Sequence, residues 1–116
     1  MRAIANFLRT YTPNSAYLVA GTATHWRTSS GDADPNPEFV DILTTDFDMI
    51  SPWTVGRYAN EDDANGFAEE HIRGDMQFLI AKHDAGGKKV DYMPVVLPGG
   101  SGCNMTDGEL GFNDIK

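Results

Sequence analysis

The chain has 116 residues and carries 17 acidic against 9 basic side chains, which gives a formal net charge of −8. This length allows one modest hydrophobic core, and a content of 41% apolar and 10% aromatic residues argues against intrinsic disorder. The acidic balance argues against a nucleic-acid or anionic-membrane surface, because both require clustered Lys and Arg. The single cysteine, Cys103, excludes an internal disulfide and a multi-cysteine zinc site.

No segment has the features of a membrane span or of a secretory signal. No apolar run reaches 18 residues, and the start of the chain lacks the long apolar centre of a signal peptide. We therefore expect a soluble chain without an export signal of its own, and its compartment stays open.

The first half of the chain predicts helices that alternate with strands. Helical spacing of apolar residues predicts a short helix over residues 2–11, and an apolar run predicts a buried strand over 16–20. A segment rich in Ser, Gly, Asp and Pro predicts a surface loop over 28–37. A second helix is predicted over 37–43 and a second strand over 47–51.

The second half adds the longest periodic helix, a third strand and a tail. The helix is predicted over 61–82, with acidic residues in its first turn and basic residues in its last, as the helix dipole favours. The strand is predicted over 90–97, where Pro94 indicates an edge position or a bulge. Residues 98–116 are predicted to form a glycine-rich loop tail.

This order predicts a single α/β domain over residues 1–116, because alternating helices and strands build parallel sheets. About three parallel strands leave two open edges and a partly uncovered sheet. We therefore expect a homo-oligomer in which further copies cover the exposed sheet edges.

Ligands of parallel α/β folds bind at the carboxyl ends of the strands. The segments after the first two strands each hold a Trp followed by an Arg, and aromatic faces beside polar donors suit a sugar. The alternative is that the two tryptophans cap the hydrophobic layers of the sheet. The candidate sugar-binding residues are His25, Trp26, Arg27, Trp53, Arg57 and Tyr58.

Other chemistries find little support in the sequence. The segment 99–103 has cysteine where the G-x-S-x-G motif of serine hydrolases requires glycine. Neither a phosphate-binding loop nor a metal-ligand spacing of His residues is present, so we expect no cofactor and no metal.

Two carboxylates in predicted strands, Asp48 and Asp91, are candidate catalytic residues. Glycoside hydrolysis usually requires a pair of carboxyl groups across the scissile bond, as acid/base and nucleophile. The alternative is structural, because a charged group in a buried strand must be paired, for example by a backbone turn or by Arg57.

The segments 21–27, 47–58 and 91–99, in this order and spacing, resemble the glycoside hydrolase family 71/99-like proteins, some of which are labelled xylosidase or arabinosidase. The longest of these motifs is Ile-Ser-Pro-Trp-Thr-Val-Gly-Arg-Tyr, at residues 50–58. The resemblance implies a (β/α)8 TIM barrel within the mannan- and glucan-cleaving clan. It also implies hydrolysis of glycosidic bonds through a pair of carboxylic acids.

The sequence departs from the family pattern in two places. Residues 100–104 read Gly-Ser-Gly-Cys-Asn where the family has aromatic and His residues before the Asn. The acidic motif of the family is expected beyond residue 116, so the chain would hold about three of eight strands. We therefore expect a glycoside hydrolase-like protein that binds or cleaves carbohydrate. The alternative is a non-catalytic α/β module, derived from a truncated glycosidase, that binds carbohydrate or assembles with itself.

Overall fold

A computed structural model describes residues 1–12 and 15–96, and the predicted tail over 98–116 lies outside the described residues. Helices alternate with three short strands, which confirms the mixed α/β class. In chain order the elements are α1 (Arg2–Tyr11), β1 (Val19–Thr22), α2 (Glu38–Asp46), β2 (Met49–Pro52), α3 (Glu61–Phe67), a π-helical turn (Ala68–Ile72), α4 (Arg73–Asp84) and β3 (Asp91–Tyr92). In the described part of the chain, no helix is long and apolar enough to cross a bilayer.

The three strands form one parallel sheet in the order β1-β2-β3, so the prediction of a parallel sheet is confirmed. The ladder continues beyond β2 and β3 through a parallel bridge between Trp53 and Val95. The N–H groups of Met93 and Val95 both donate to β2. Pro94 therefore occupies the intervening position, where a missing N–H removes no hydrogen bond to β2.

Both connecting helices pack on the same face of this sheet. Ala20 of β1 and Ile50 of β2 are register partners, and they share one buried cluster with Leu43 of α2 and Leu79 of α4. Strand alternation turns the neighbouring side chains to the opposite face. That face carries Val19, Met49, Ser51, Asp91 and Met93, all of which are half-buried or exposed.

The helical segment predicted over 61–82 extends from Glu61 to Asp84, with the π-helical turn inside it. Asn60 caps its start, because the Asn60 side chain accepts a hydrogen bond of 2.9 Å from the N–H of Asp63. Helix α2 runs further than the predicted 37–43, and the Thr44 and Thr45 hydroxyls in its last turn donate to carbonyls one turn earlier.

Helix α1 has the predicted bounds and packs beside α2 through its polar side. Arg2 pairs with Asp46 of α2 at 2.7 Å. Arg9 donates at 2.9 Å to the Asp46 carbonyl and at 2.9 Å to the Asp48 carboxylate. These ion pairs fix α1 next to α2.

Candidate functional site

The loops that follow β1 and β2 meet at the carboxyl edge of the sheet, through Thr24. The buried Thr24 hydroxyl donates to the carbonyl of Trp53. In turn, the Arg57 guanidinium donates from Nε to Thr24 Oγ1 at 2.8 Å. One threonine thus holds the backbone at Trp53 and the side chain of Arg57 in a fixed relation.

Asp32 joins two of the predicted sugar-binding residues into a polar cluster. Its Oδ1 lies 2.9 Å from Nδ1 of His25, and its Oδ2 pairs with the Arg57 guanidinium. The hydrogen bond with His25, aided by the charge of Arg57, lowers the pKa of Asp32 despite partial burial. The side chain of Asp32 is one-third exposed, so the cluster presents both donors and an acceptor to solvent.

Gly31 allows the loop that carries Asp32 to close on His25. Its φ of +59° favours glycine, and a Cβ at this position would lie 3.1 Å from Nδ1 of His25. The sequence predicts only a surface loop over 28–37, and nothing in its local pattern links Asp32 to His25 or to Arg57.

Trp53 offers an exposed aromatic surface at the same edge of the sheet, with 55% of its area accessible. It continues the ladder of β2, since its N–H donates to the Thr22 carbonyl at 2.9 Å. Strand alternation therefore turns Trp53 to the face of Met49 and Ser51, away from the helices.

Tyr58 belongs to an aromatic row that backs the polar cluster. Its ring lies 5.7 Å from the ring of Phe67, which lies 4.9 Å from His71 in the π-helical turn. The ring of His71 meets His25 edge-on at 5.1 Å. The row connects the start of the long helical segment to the loop after β1.

Trp26 and Arg27 lie below this surface, around the buried carboxylate of Asp75. The Trp26 indole N–H donates to Asp75 at 3.0 Å, and Arg27 Nε donates at 2.9 Å. The Tyr92 hydroxyl donates to the same carboxylate at 2.9 Å. Trp26 is only 3% exposed and belongs to the core, as the alternative interpretation of the tryptophans expects.

Asp48 and Asp91 lie at the amino ends of β2 and β3, at the edge of the sheet opposite to Trp53. Asp48 accepts hydrogen bonds from Arg9 at 2.9 Å, from the Leu18 N–H at 2.8 Å and from Lys88 at 2.6 Å. Partial burial raises the pKa of Asp48, but these hydrogen bonds outweigh it and lower the pKa to about 2. The carboxylate is thus fixed in its charged form by its structural contacts.

Asp91 accepts a hydrogen bond from the Tyr17 hydroxyl, which reaches it from the segment before β1. This hydrogen bond, together with burial, raises the pKa of Tyr17 to about 12. Arg57, which sequence analysis offered as a structural partner for the strand carboxylates, pairs with Asp32 instead. The correction has a simple cause: Arg57 follows β2 and lies at the other edge of the sheet.

The structure thus brings His25, Trp53 and Arg57 together at one edge, with Thr24 and Asp32 as partners that sequence analysis missed. Among the described residues, no group of three or more His, Cys, Asp or Glu side chains has the arrangement of a metal site. No family model, curated protein or solved structure matches the chain.

Proposed function

We propose that the carboxyl edge of the sheet binds a carbohydrate. Trp53 stacks against a sugar ring, and the cluster of His25, Asp32 and Arg57 exchanges hydrogen bonds with the hydroxyl groups. The observation that carries this proposal is the half-exposed ring of Trp53, whose backbone carbonyl is bound by the same Thr24 hydroxyl that accepts a hydrogen bond from Arg57 of the polar cluster.

The chemistry of the cluster suits a neutral sugar. A hydroxyl group both donates and accepts, and the edge offers Arg57 and His25 as donors and Asp32 as an acceptor. The positive charge of Arg57 is balanced by Asp32, so the cluster does not select a charged ligand. Covering about 100 Å² of the Trp53 ring would contribute roughly 2 kcal/mol to binding.

The sheet has the arrangement that a segment of a (β/α)8 barrel would have. In a (β/α)8 barrel the helices surround the outside, whereas the opposite face of the sheet lines the interior. Here both connecting helices pack on one face, and Trp53 is on the other, at the carboxyl end where barrel enzymes bind their substrates. We therefore infer that the sheet corresponds to a segment of such a barrel.

Sugar binding is tested by calorimetric titration with soluble oligosaccharides of xylose, arabinose, mannose and glucose. We expect Trp53→Ala to weaken binding of the responding sugar by about 10–50-fold, as a loss of about 2 kcal/mol requires. Trp53→Phe should retain part of the affinity. The matched control is Tyr17→Ala, because Tyr17 is an aromatic residue of equal exposure, 56%, at the opposite edge. Equal affinity of Trp53→Ala and wild type would exclude Trp53 as the stacking surface.

The catalytic prediction for Asp48 and Asp91 has a separate test. Release of chromophore from aryl glycosides is compared among wild type, Asp48→Asn and Asp91→Asn, with folding followed by circular dichroism. Because both carboxylates lie at the edge opposite to Trp53, we expect any hydrolysis to be independent of them. A folded variant with a lost rate would instead assign catalysis to that carboxylate.

A further inference from the structure

The α1 stripe, which consists of Ile4, Phe7, Leu8 and Tyr11, is exposed along one side of the first helix. The exposed fractions range from 38% to 74%. Arg2 and Arg9, which bond to Asp46, lie on another side of the same helix. Helical periodicity therefore turns the α1 stripe to the side of the helix that is opposite to its contacts with α2.

A second apolar surface lies at the other flank of the sheet. A cavity of about 330 Å³ opens between α4 and β3, and we call it the β3 groove. Met76 and Ile80, which are about half exposed, form its α4 side. Leu79, His83, Lys89, Val90 and Tyr92 line the rest of it.

We propose that the β3 groove of one copy receives the α1 stripe of a second copy, while β3 of the first pairs in parallel with β1 of the second. The order β1-β2-β3 makes β1 and β3 the two edges of the described sheet, and all three strands run in the same direction. Edge strands of this kind are templates for pairing with another chain.

The position of α1 in the chain makes the two contacts compatible. Helix α1 precedes β1 in the chain, as α2 precedes β2 and α4 precedes β3. Helix α1 also packs beside α2. Joining β1 of the second copy to β3 of the first therefore brings the α1 of the second copy next to the α4 of the first. The side of α1 that faces α4 in this arrangement is the side opposite to α2, which bears the α1 stripe.

The apolar area of the α1 stripe supplies about half of a stable contact. Aromatic side chains such as Phe7 and Tyr11 bury about 150–250 Å² each, so the α1 stripe offers on the order of 400 Å². This is about half of the roughly 800 Å² that each partner buries in a stable interface. The paired strand edges, with Val19 of β1 half exposed, supply further contact. The interface is heterologous, since each copy uses two different surfaces.

The first test is the mass of the full chain in solution. Light scattering at micromolar concentration should give at least twice the mass of one chain, 12.7 kDa. Phe7→Asp, in the α1 stripe, and Ile80→Asp, in the β3 groove, should each reduce the mass to one chain. Both positions are more than half exposed, and circular dichroism checks the fold. Tyr11→Asp serves as a second variant of the α1 stripe.

Mixing the two variants tests the head-to-tail geometry. Phe7→Asp keeps an intact β3 groove and Ile80→Asp keeps an intact α1 stripe, so an equimolar mixture should form a complex of two chains. Trp53→Ala, the sugar-binding variant, should retain the wild-type mass, which separates this proposal from the proposed function. The proposal would be overturned by a wild-type mass of one chain, by unchanged assembly of the folded Asp variants, or by a mixture that stays at one chain.

Discussion

Replacing Asp75 by Asn should destabilise the fold by about 3 kcal/mol. The carboxylate is buried and accepts hydrogen bonds from Trp26, Arg27 and Tyr92. An Asn side chain keeps one oxygen acceptor, but it places an amide donor against a donor and leaves Arg27 without its ion pair. Removing one partner of a buried ion pair costs about 3–5 kcal/mol, and the 25% exposure of Arg27 favours the lower end of this range.

Urea unfolding followed by circular dichroism measures this change. With a slope of about 1.5 kcal/mol per molar urea, a loss of 3 kcal/mol lowers the midpoint by about 2 M. The control is Asp62→Asn, an exposed residue in the first turn of α3, which should change the free energy of unfolding by only about 0.5 kcal/mol. If the free energies of unfolding of Asp75→Asn and wild type differed by less than about 0.5 kcal/mol, the role of Asp75 in organising Trp26 and Arg27 would be refuted.

Two further predictions concern stability. Asp48→Asn should cost about 1–2 kcal/mol at pH 7, after allowance for solvent screening, because the pKa of Asp48 falls from 3.8 to about 2 on folding. This stabilisation is present above about pH 4 and disappears as the pH falls toward 2, so urea midpoints of wild type and variant should converge there; a constant difference would contradict it. Gly66→Ala should stabilise the helix by about 0.5–1 kcal/mol, since a Cβ there meets nothing within 4 Å. Gly74→Ala should stabilise the protein less, because its Cβ would lie 2.7 Å from Arg27 and displace the guanidinium from Asp75. Thermal unfolding of the two variants measures the difference, and an equal stabilisation would show that Arg27 moves freely.

Local sequence patterns predicted where the helices of this chain lie, but not what surrounds them. The spacing of Ile4, Phe7 and Tyr11 correctly indicated the bounds of α1, because residues three and four apart share one side of a helix. Periodicity does not predict whether another element of this chain packs against that apolar side. The structure shows α1 held to α2 by Arg2 and Arg9, with the apolar side exposed, and these ion pairs join residues about forty positions apart.

The two Trp-Arg segments look alike in sequence but occupy different environments. Trp53 continues the ladder of β2, so strand alternation sets the direction of its side chain. Trp26 lies within a turn beyond the end of β1 at Thr22, and this turn directs its ring to the helix side of the sheet. Because the turn geometry decides the outcome, strand position alone could not separate the exposed tryptophan from the buried one.

Asp75 was predictable in part, whereas Asp32 was not. Asp75 falls three residues after Ile72 and four before Leu79, on the apolar side of the long helix, and a carboxylate at such a position requires buried partners. Its partners Trp26, Arg27 and Tyr92 come from distant segments and are visible only in the fold.

The most direct test of sugar binding at the carboxyl edge uses the two indole N–H signals of the chain in a proton–nitrogen NMR spectrum. Trp53→Phe removes one signal and thereby assigns both. On titration with the oligosaccharide that binds most strongly, we expect a saturable shift of the Trp53 signal. The signal of Trp26, buried and bonded to Asp75 at 3.0 Å, should stay in place. A spectrum in which neither signal moves with any of the sugars, or in which only the Trp26 signal shifts, would contradict sugar binding at Trp53.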